Sequence, residues 1–544
     1  MKTFETEYLI VGAGIAGIVC AIDLLEQGKK VTIVDRDSAE NIGGLARWAF
    51  GGMFFVDSKQ QKRAGIQDSY EQAKSDWWSC AQFDQSNLWG PRWADQFLHL
   101  CTSHGHRWLH ENGIRFLPVI NWAERGMLRP GNSVPRFHMV WGTGFELARR
   151  LVSQLKSHRA SKGLTFLFNH RVSALTEQSD RIAGVSGVDE TTAEDFTMKA
   201  DVTIIATGGI NGSIEKVRAH WYKPWGTPPK VILNGAHEYA LGDLHDAAEQ
   251  VNGSVVNLDL QWNYAAGIKH YKPRHSNHGL SLVPGKSQLW VNYQGRRFGP
   301  PPLMSPFDTR YLVEQICREP VKYSWQILNH KIANKEFSIS GSEHNSAIRD
   351  RNLLQLATQI LLTGSRKLVG EISRECEDFI IADGLPELVE KMNALTGESH
   401  VDFGSLQSEI HAYDAQIDLP EEKRTDEQIK RILEVRKYRG DRFRTCNLQR
   451  ILDPKAGPLV AIRSFVLSRK SLGGIETDLQ CRVLSKANAA GEQHPISDLY
   501  AIGEAAGFGG GGMHGQGSLE GTFLAGCVIT ARVCAAALAG RKLG

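Results

Sequence analysis

Three glycines, Gly12, Gly14 and Gly17, stand in the order G-x-G-x-x-G between an apolar run and a helical one, and an acid, Asp35, follows about twenty residues on. Gly12 permits a tight turn, Gly14 lets the backbone approach a pyrophosphate, and Gly17 lets a helix pack on a strand, with Ala16 in the same turn. A carboxylate at Asp35, beside Arg36, can accept both hydroxyls of a ribose, and its charge argues against a 2′-phosphate there. The chemistry these residues serve is the holding of a dinucleotide.

Such residues need strands and helices to position them. Apolar runs at Tyr8 to Val11, Lys30 to Val34, Thr165 to Phe168, Arg181 to Val188 and Val202 to Ala206 read as strands, and residues 15–27 and 145–158 carry helical periodicity. That alternation predicts an α/β fold with a parallel sheet. From Gln261 to about Gly457 the texture changes to charged helical stretches and a proline cluster, RRFGPPPLMSPFDTRY, before strand and glycine motifs return. The expected organisation is a discontinuous, Rossmann-like nucleotide domain, residues 1–260 and 458–544, with an inserted α+β capping domain at 261–457.

At 544 residues the chain exceeds the usual size of one domain. Its 42% hydrophobic and 23% charged content and formal charge of +3 describe an ordinary globular protein with no reason to bind nucleic acid. Nine cysteines without a C-x-x-C pair suit a reducing compartment and exclude a haem or iron–sulfur attachment. Lys2, Glu5 and Glu7 precede the first strand and leave no room for a signal peptide, so the cytoplasm is the expected location. The apolar segment Leu519 to Ala539 is interrupted by Glu520 and Arg532 and predicts a buried helix, not a membrane span.

Three further motifs choose among dinucleotides: Gly43-Gly44 after the acidic strand, ADVTIIATGG at Ala200 to Gly209, and DLYAIGEAAG at Asp498 to Gly507. Together they resemble the FAD-binding flavoproteins with two dinucleotide-binding domains. In that family the strand ending Ala206-Thr207-Gly208-Gly209 closes the nucleotide domain, the acid after Gly503, here Glu504, reaches the ribityl chain, and Val172 meets adenine. The stretch GGLARWAFGGMFFVDS from Gly43, with LWVNYQGRRF, GPLVAIR and SLGGIETD further on, is similar to the fumarate reductase and 3-ketosteroid dehydrogenase superfamily over nearly the whole chain. There a second glycine pair, here Gly51-Gly52, lies near the flavin ring. Leu45 stands where a hydroxyl residue is usual. ARWAFGG lacks the histidine that bonds FAD covalently in the succinate dehydrogenase branch, so the resemblance implies non-covalent FAD.

The run GFGGGGMHGQGSLEG leads into the last helix; its dense glycines would let backbone lie against a flat ring, with Ser518 as N-cap and Leu519 after it. The positive end of that helix would favour the anionic reduced flavin. In the resembling enzymes the proton-transfer group follows G-[RK]-R-F, matched here by Gly295 to Phe298, and is an arginine in fumarate reductases and a tyrosine in ketosteroid enzymes. Arg310 and Tyr311 stand beyond it, and both remain candidates. His514 falls where ketosteroid dehydrogenases place the tyrosine that binds the ketone, and Tyr264 loosely matches a cap residue beside the substrate. Thirteen tryptophans, many between Trp77 and Trp141, read as core.

The expected function is FAD-dependent dehydrogenation of a carbon–carbon bond beside a ketone, in a bulky apolar substrate of ketosteroid type, with electrons passing to an unidentified acceptor. A reductase of unsaturated acids, using Arg310 as donor and Arg469 and Lys470 as carboxylate anchors, is the first alternative. An FAD-bound redox carrier without its own substrate chemistry is the second.

Overall fold

Leu9, Ile10 and Val11, Val31 to Val34, and Ile204 and Ile205 are buried together, as near-continuous apolar runs must be when both faces of a sheet are covered. The computed structural model describes residues 2–84, 86–304 and 308–543, so part of the proline cluster lies outside the described residues. Strands Pro495–Ala501, Glu194–Ile205, Lys2–Val11, Val31–Val34 and Leu164–Leu167 lie side by side in that order and run parallel. Leu9 sits opposite Thr203 on one side and Thr32 on the other. Helix Ile15–Glu26 crosses between the first two strands of the chain, and the final helix, Thr522–Leu538, packs against it with its apolar faces buried. The protein is thus a mixed α/β structure in which four of these strands match expected ones, lengthened at Lys2–Val11 and Glu194–Ile205, while the expected strand Arg181 to Val188 forms but runs antiparallel to Glu194–Ile205.

A second sheet follows the order Leu289–Val291, Tyr323–Asn329, Leu459–Ser471, Gln261–Lys269, Gly279–Val283 and Ser338–Ile339. Ile232–Asn234 and Phe379–Ala382 also pair with the long strand Leu459–Ser471. The sheets therefore divide the chain differently from the expected boundaries at 260/261 and 457/458, because strands on the outer side of each boundary pair in the second sheet. The reason is the thirteen-residue strand Leu459–Ser471, which is apolar enough to sit in the centre of that sheet and whose last residue bonds Glu504 just past strand Pro495–Ala501. Its last residues, and the antiparallel strand Gln261–Lys269, carry the second sheet's side chains to the junction.

Trp77 and Trp93 are buried in the core of the first unit. All nine cysteines are free thiols. Among the described residues no helix is long and apolar enough to cross a membrane.

Candidate active site

A long cavity begins at the carboxyl ends of the parallel strands, where open α/β sheets place their ligands. Gly12, Gly14, Ala16, Asp35, Arg36, Gly43, Gly44, Leu45, Gly51, Gly52, Val172, Ala206, Thr207, Gly208 and Glu504 line it. Gly12 has φ +113°, and a Cβ there would lie 2.4 Å from the Ala206 carbonyl oxygen, so only glycine turns the chain at this point. A Cβ on Gly14 would meet nothing within 4 Å and would project into open space. Asp35 accepts the Asp37 N–H through Oδ1 at 2.7 Å and the Ala13 N–H through Oδ2, and burial raises its pKa. Arg36 is held by Glu190 at 2.8 Å and lies over the Tyr239 ring, which shapes the outer end of the cavity.

Gly17, Gly209, Gly503, Ser518 and Leu519 stand behind this wall. A Cβ on Gly17 would be 2.0 Å from the Gly12 oxygen, so its role is the close approach of helix to strand. Gly209 makes room for Glu504, whose Oε1 accepts the Ser471 N–H at 2.9 Å and whose carboxyl burial pushes up to about 7.

At the inner end the long strands of the second sheet deliver a cluster of charged and phenolic groups. Trp262 faces Lys470 across the antiparallel pair, and register shifts on either side of Asn263 and Tyr264 turn Tyr264 into the cavity, as bulges re-aim side chains. Tyr264 Oη donates to Glu520 Oε1 at 2.6 Å, Trp262 Nε1 donates to the same oxygen at 2.8 Å, and Lys470 Nζ donates to Tyr264 Oη at 3.2 Å. Tyr264, Arg469, Lys470 and Glu520 all line the cavity. Burial pulls the Lys470 ammonium down to about 8, while burial and the Glu520 charge raise the Tyr264 phenol. A carboxylate, a phenol and an ammonium linked in this way can take up, pass on and stabilise a proton's charge.

Glu520 and Trp262 are the residues the sequence reading missed. Glu520 entered it only as an interruption of an apolar segment, although an acid between a glycine run and a helix of small residues was the available signal.

The remaining candidates lie elsewhere. His514 does not line the cavity: it is fully buried, hydrogen-bonded through Nε2 to Thr522 Oγ1 at 2.9 Å, stacked on Trp77, and packed against Phe508 and Phe523, which do line it. Burial pulls it down to about 3, so it stays neutral behind the wall and is turned away from any ketone in this conformation. Ser518 is not the N-cap expected of it, because the helix begins at Thr522 with Gly521 as cap, and its hydroxyl meets Thr522 instead. Of the dense glycines, Gly509 and Gly510 lie against the Trp93 indole, 2.5 Å from a Cβ built on Gly509, and Gly521 lines the cavity. Arg310 and Tyr311 begin helix Thr309–Cys317 and line no part of the cavity. The Arg310 guanidinium lies over Tyr222 and Trp225 with one Nη1 unpartnered, and Tyr311 packs on the second core under Arg129. Glu124 accepts the Thr309 N–H at 3.0 Å and so ties the start of that helix to the first unit; burial raises its carboxyl, and the charge of Glu520 adds to the rise.

Comparison with known proteins decides the cofactor. The family described as "FAD binding domain" matches residues 7–524. This chain belongs to that FAD-binding family. It is 40% identical over 538 residues to a "KsdD-like steroid dehydrogenase" of Mycolicibacterium smegmatis, covering 96% of each protein. Its fold is like that of 3-ketosteroid delta1-dehydrogenase from Sterolibacterium denitrificans (TM-score 0.67, 14% identity, 98% of this chain and 99% of that one). The open conformation of a flavocytochrome c3 fumarate reductase is similarly close (TM-score 0.66, 19% identity, 98% and 78%).

The flavoprotein's own residues fit FAD. The free space at Gly14, a helix start with no side-chain cap, and a buried Thr207 hydroxyl without a partner are what a pyrophosphate and its neighbours would occupy. The chain is therefore an FAD-dependent oxidoreductase. We expect acid precipitation of the yellow protein to leave the flavin in the supernatant. A yellow pellet would show a covalent link.

Proposed function

We propose that this flavoprotein removes two hydrogens from adjacent carbons beside a ketone, in a bulky apolar substrate of ketosteroid type. The observation that carries the reading is the Glu520 carboxylate, held in the cavity by Tyr264 and Trp262 with Lys470 beside them. The relatives named as steroid dehydrogenases support the substrate class.

Bound FAD supplies the hydride acceptor. The chain's part is to remove the proton from the carbon next to the ketone. Glu520 is the terminal acceptor: Tyr264 takes the substrate's proton at Oη as it hands its own to Glu520 Oε1. The Lys470 ammonium offsets the charge that passes through the phenol oxygen. On this reading the proton-transfer role belongs to Tyr264 and Glu520 and not to Arg310 or Tyr311. Arg310, whose guanidinium stacks on Tyr222 and Trp225 outside the cavity lining, has no part in this step.

Accordingly, Arg310→Ala should lower thermal stability, through loss of its stacking on Tyr222 and Trp225, and leave kcat and KM within about threefold. Tyr311→Phe should leave both within twofold, roughly the effect of a surface change. Steady-state kinetics on the two variants checks this, and a collapse of kcat in Tyr311→Phe would return that residue to the centre of the reaction.

A second reading, reduction of a carbon–carbon double bond in an unsaturated acid, draws on two cations in the cavity, Arg469 and Lys470. Anaerobic rapid mixing separates the two. Bleaching of the oxidised flavin band by a saturated 3-ketosteroid supports dehydrogenation, whereas reoxidation of reduced enzyme by an unsaturated acid, without bleaching by ketones, supports the reductase.

A further inference from the structure

Ten large apolar side chains are left exposed among the described residues, and five of them, Leu353, Leu354, Ile360, Leu361 and Leu362, fall within ten positions, four of the five at 69% exposure or more. They belong to the consecutive helical segments Leu353–Thr358 and Gln359–Thr363, in which no residue is buried. This is a helix turned inside out. Gln355, Leu356, Thr358 and Gln359 are the half-buried side, with Gln355 reaching Ser346 Oγ at 3.5 Å, while the other large aliphatic side chains face outward. A helix that tucks in its amides and shows five of its six large aliphatic side chains is placed to meet an apolar medium.

The charges around it say which medium. Arg349 and Arg351 precede the helix and Arg366 and Lys367 follow it, and no acid occurs from Arg351 to Gly370. Arg349 is paired with Asp350 and Arg351 with Glu146. From Leu353 to Leu362 the exposed side chains are all aliphatic, without the aromatic and polar groups that give a protein partner its register. Aliphatic depth flanked by cations is what an anionic lipid surface requires.

The helix is also fastened to the cavity. Ser340 lines the cavity wall, Ser342 donates to the Arg47 carbonyl oxygen at 2.7 Å, and Arg351 reaches Glu146 at 3.2 Å just before the helix begins. A surface that held Leu353 to Leu362 would hold this strap at the same time.

We propose that the segment from Leu353 to Leu362 docks the protein onto the surface of a bilayer containing anionic phospholipid. It lies in the interface with its leucines and isoleucine in the acyl boundary and Arg366 and Lys367 at the headgroups.

The test is flotation of the FAD-loaded full chain with vesicles of phosphatidylcholine, with and without phosphatidylglycerol, in the absence of any substrate. Its outcome is therefore independent of the reaction proposed above. The protein should float with the anionic vesicles and be released by salt. Leu354→Glu/Leu361→Glu should weaken partitioning by more than about 100-fold, the loss of two buried leucines. Arg366→Glu/Lys367→Glu should weaken it at least about 25-fold, at about fivefold per cation. Both variants change exposed positions, and an unchanged flavin spectrum confirms their fold. Wild-type protein that fails to float with anionic vesicles, or a leucine variant that floats as well as wild type, overturns the proposal. So does light scattering that shows a wild-type dimer split by the leucine substitutions, which would assign the face to a second copy of the chain.

Discussion

Gly14→Val should yield a folded protein that has lost its flavin. Gly14 has φ −72° and ψ −179°, a conformation open to any residue, and a Cβ there meets nothing within 4 Å. Valine therefore strains neither the turn nor the packing of helix Ile15–Glu26. Its methyl groups enter the space that the pyrophosphate must fill, and forcing atoms into occupied space costs up to about 3 kcal/mol, or roughly 100-fold in affinity. Gly12→Ala makes the informative contrast. At φ +113° with the Ala206 oxygen 2.4 Å away, the added carbon strikes backbone, so that variant should lose thermal stability before any question of flavin arises. The measurement is the ratio of flavin to protein absorbance after gel filtration, beside far-UV circular dichroism. Gly14→Val that stays yellow would remove the nucleotide site from this turn.

What the sequence made legible follows from how local each feature is. The parallel strands were readable because burial on both faces demands near-continuous apolar runs, and the glycine turn because its conformation and its ligand act on the same few residues. Leu459–Ser471 was readable as a strand but not as a member of the second sheet, since pairing with Gln261–Lys269 and Tyr323–Asn329 bridges separations of well over a hundred residues. His514 shows the opposite failure. A histidine in a glycine-rich loop reads as accessible, and only the positions of Trp77, Phe508 and Phe523 reveal it as a neutral core residue. Within the glycine run, Gly509 and Gly510 make room for the Trp93 indole, a partner from a distant helix that the local sequence does not name. Glu520 was hidden for a related reason. One acid in an apolar stretch looks like an interruption until Trp262 and Tyr264, on another sheet, are seen to donate to it.

That cluster carries the second large effect. Glu520→Gln should lower kcat by about 10²–10⁴, the usual worth of a positioned proton acceptor, with KM little changed. The amide keeps the shape and can still accept from Trp262 and Tyr264, so the loss reports the proton and not the packing. Tyr264→Phe distinguishes two routes within the cluster. If the phenol relays the proton, the variant should fall as far as Glu520→Gln, and the double variant no further, because the two act as one unit. If Glu520 takes the proton directly, Tyr264→Phe should lose only about 10-fold, from the missing hydrogen bond to a charged group. Lys470 adds a pH signature. Its ammonium, brought down to about 8 by burial, sheds its proton as pH rises through that value, and with it goes the charge that steadies the phenol oxygen. Wild-type kcat should therefore fall above about pH 8, and Lys470→Met should be slow throughout and lack that alkaline limb. Single-turnover flavin bleaching across pH reads all three variants, and undiminished rates in both Glu520→Gln and Tyr264→Phe would take the chemistry out of this cluster.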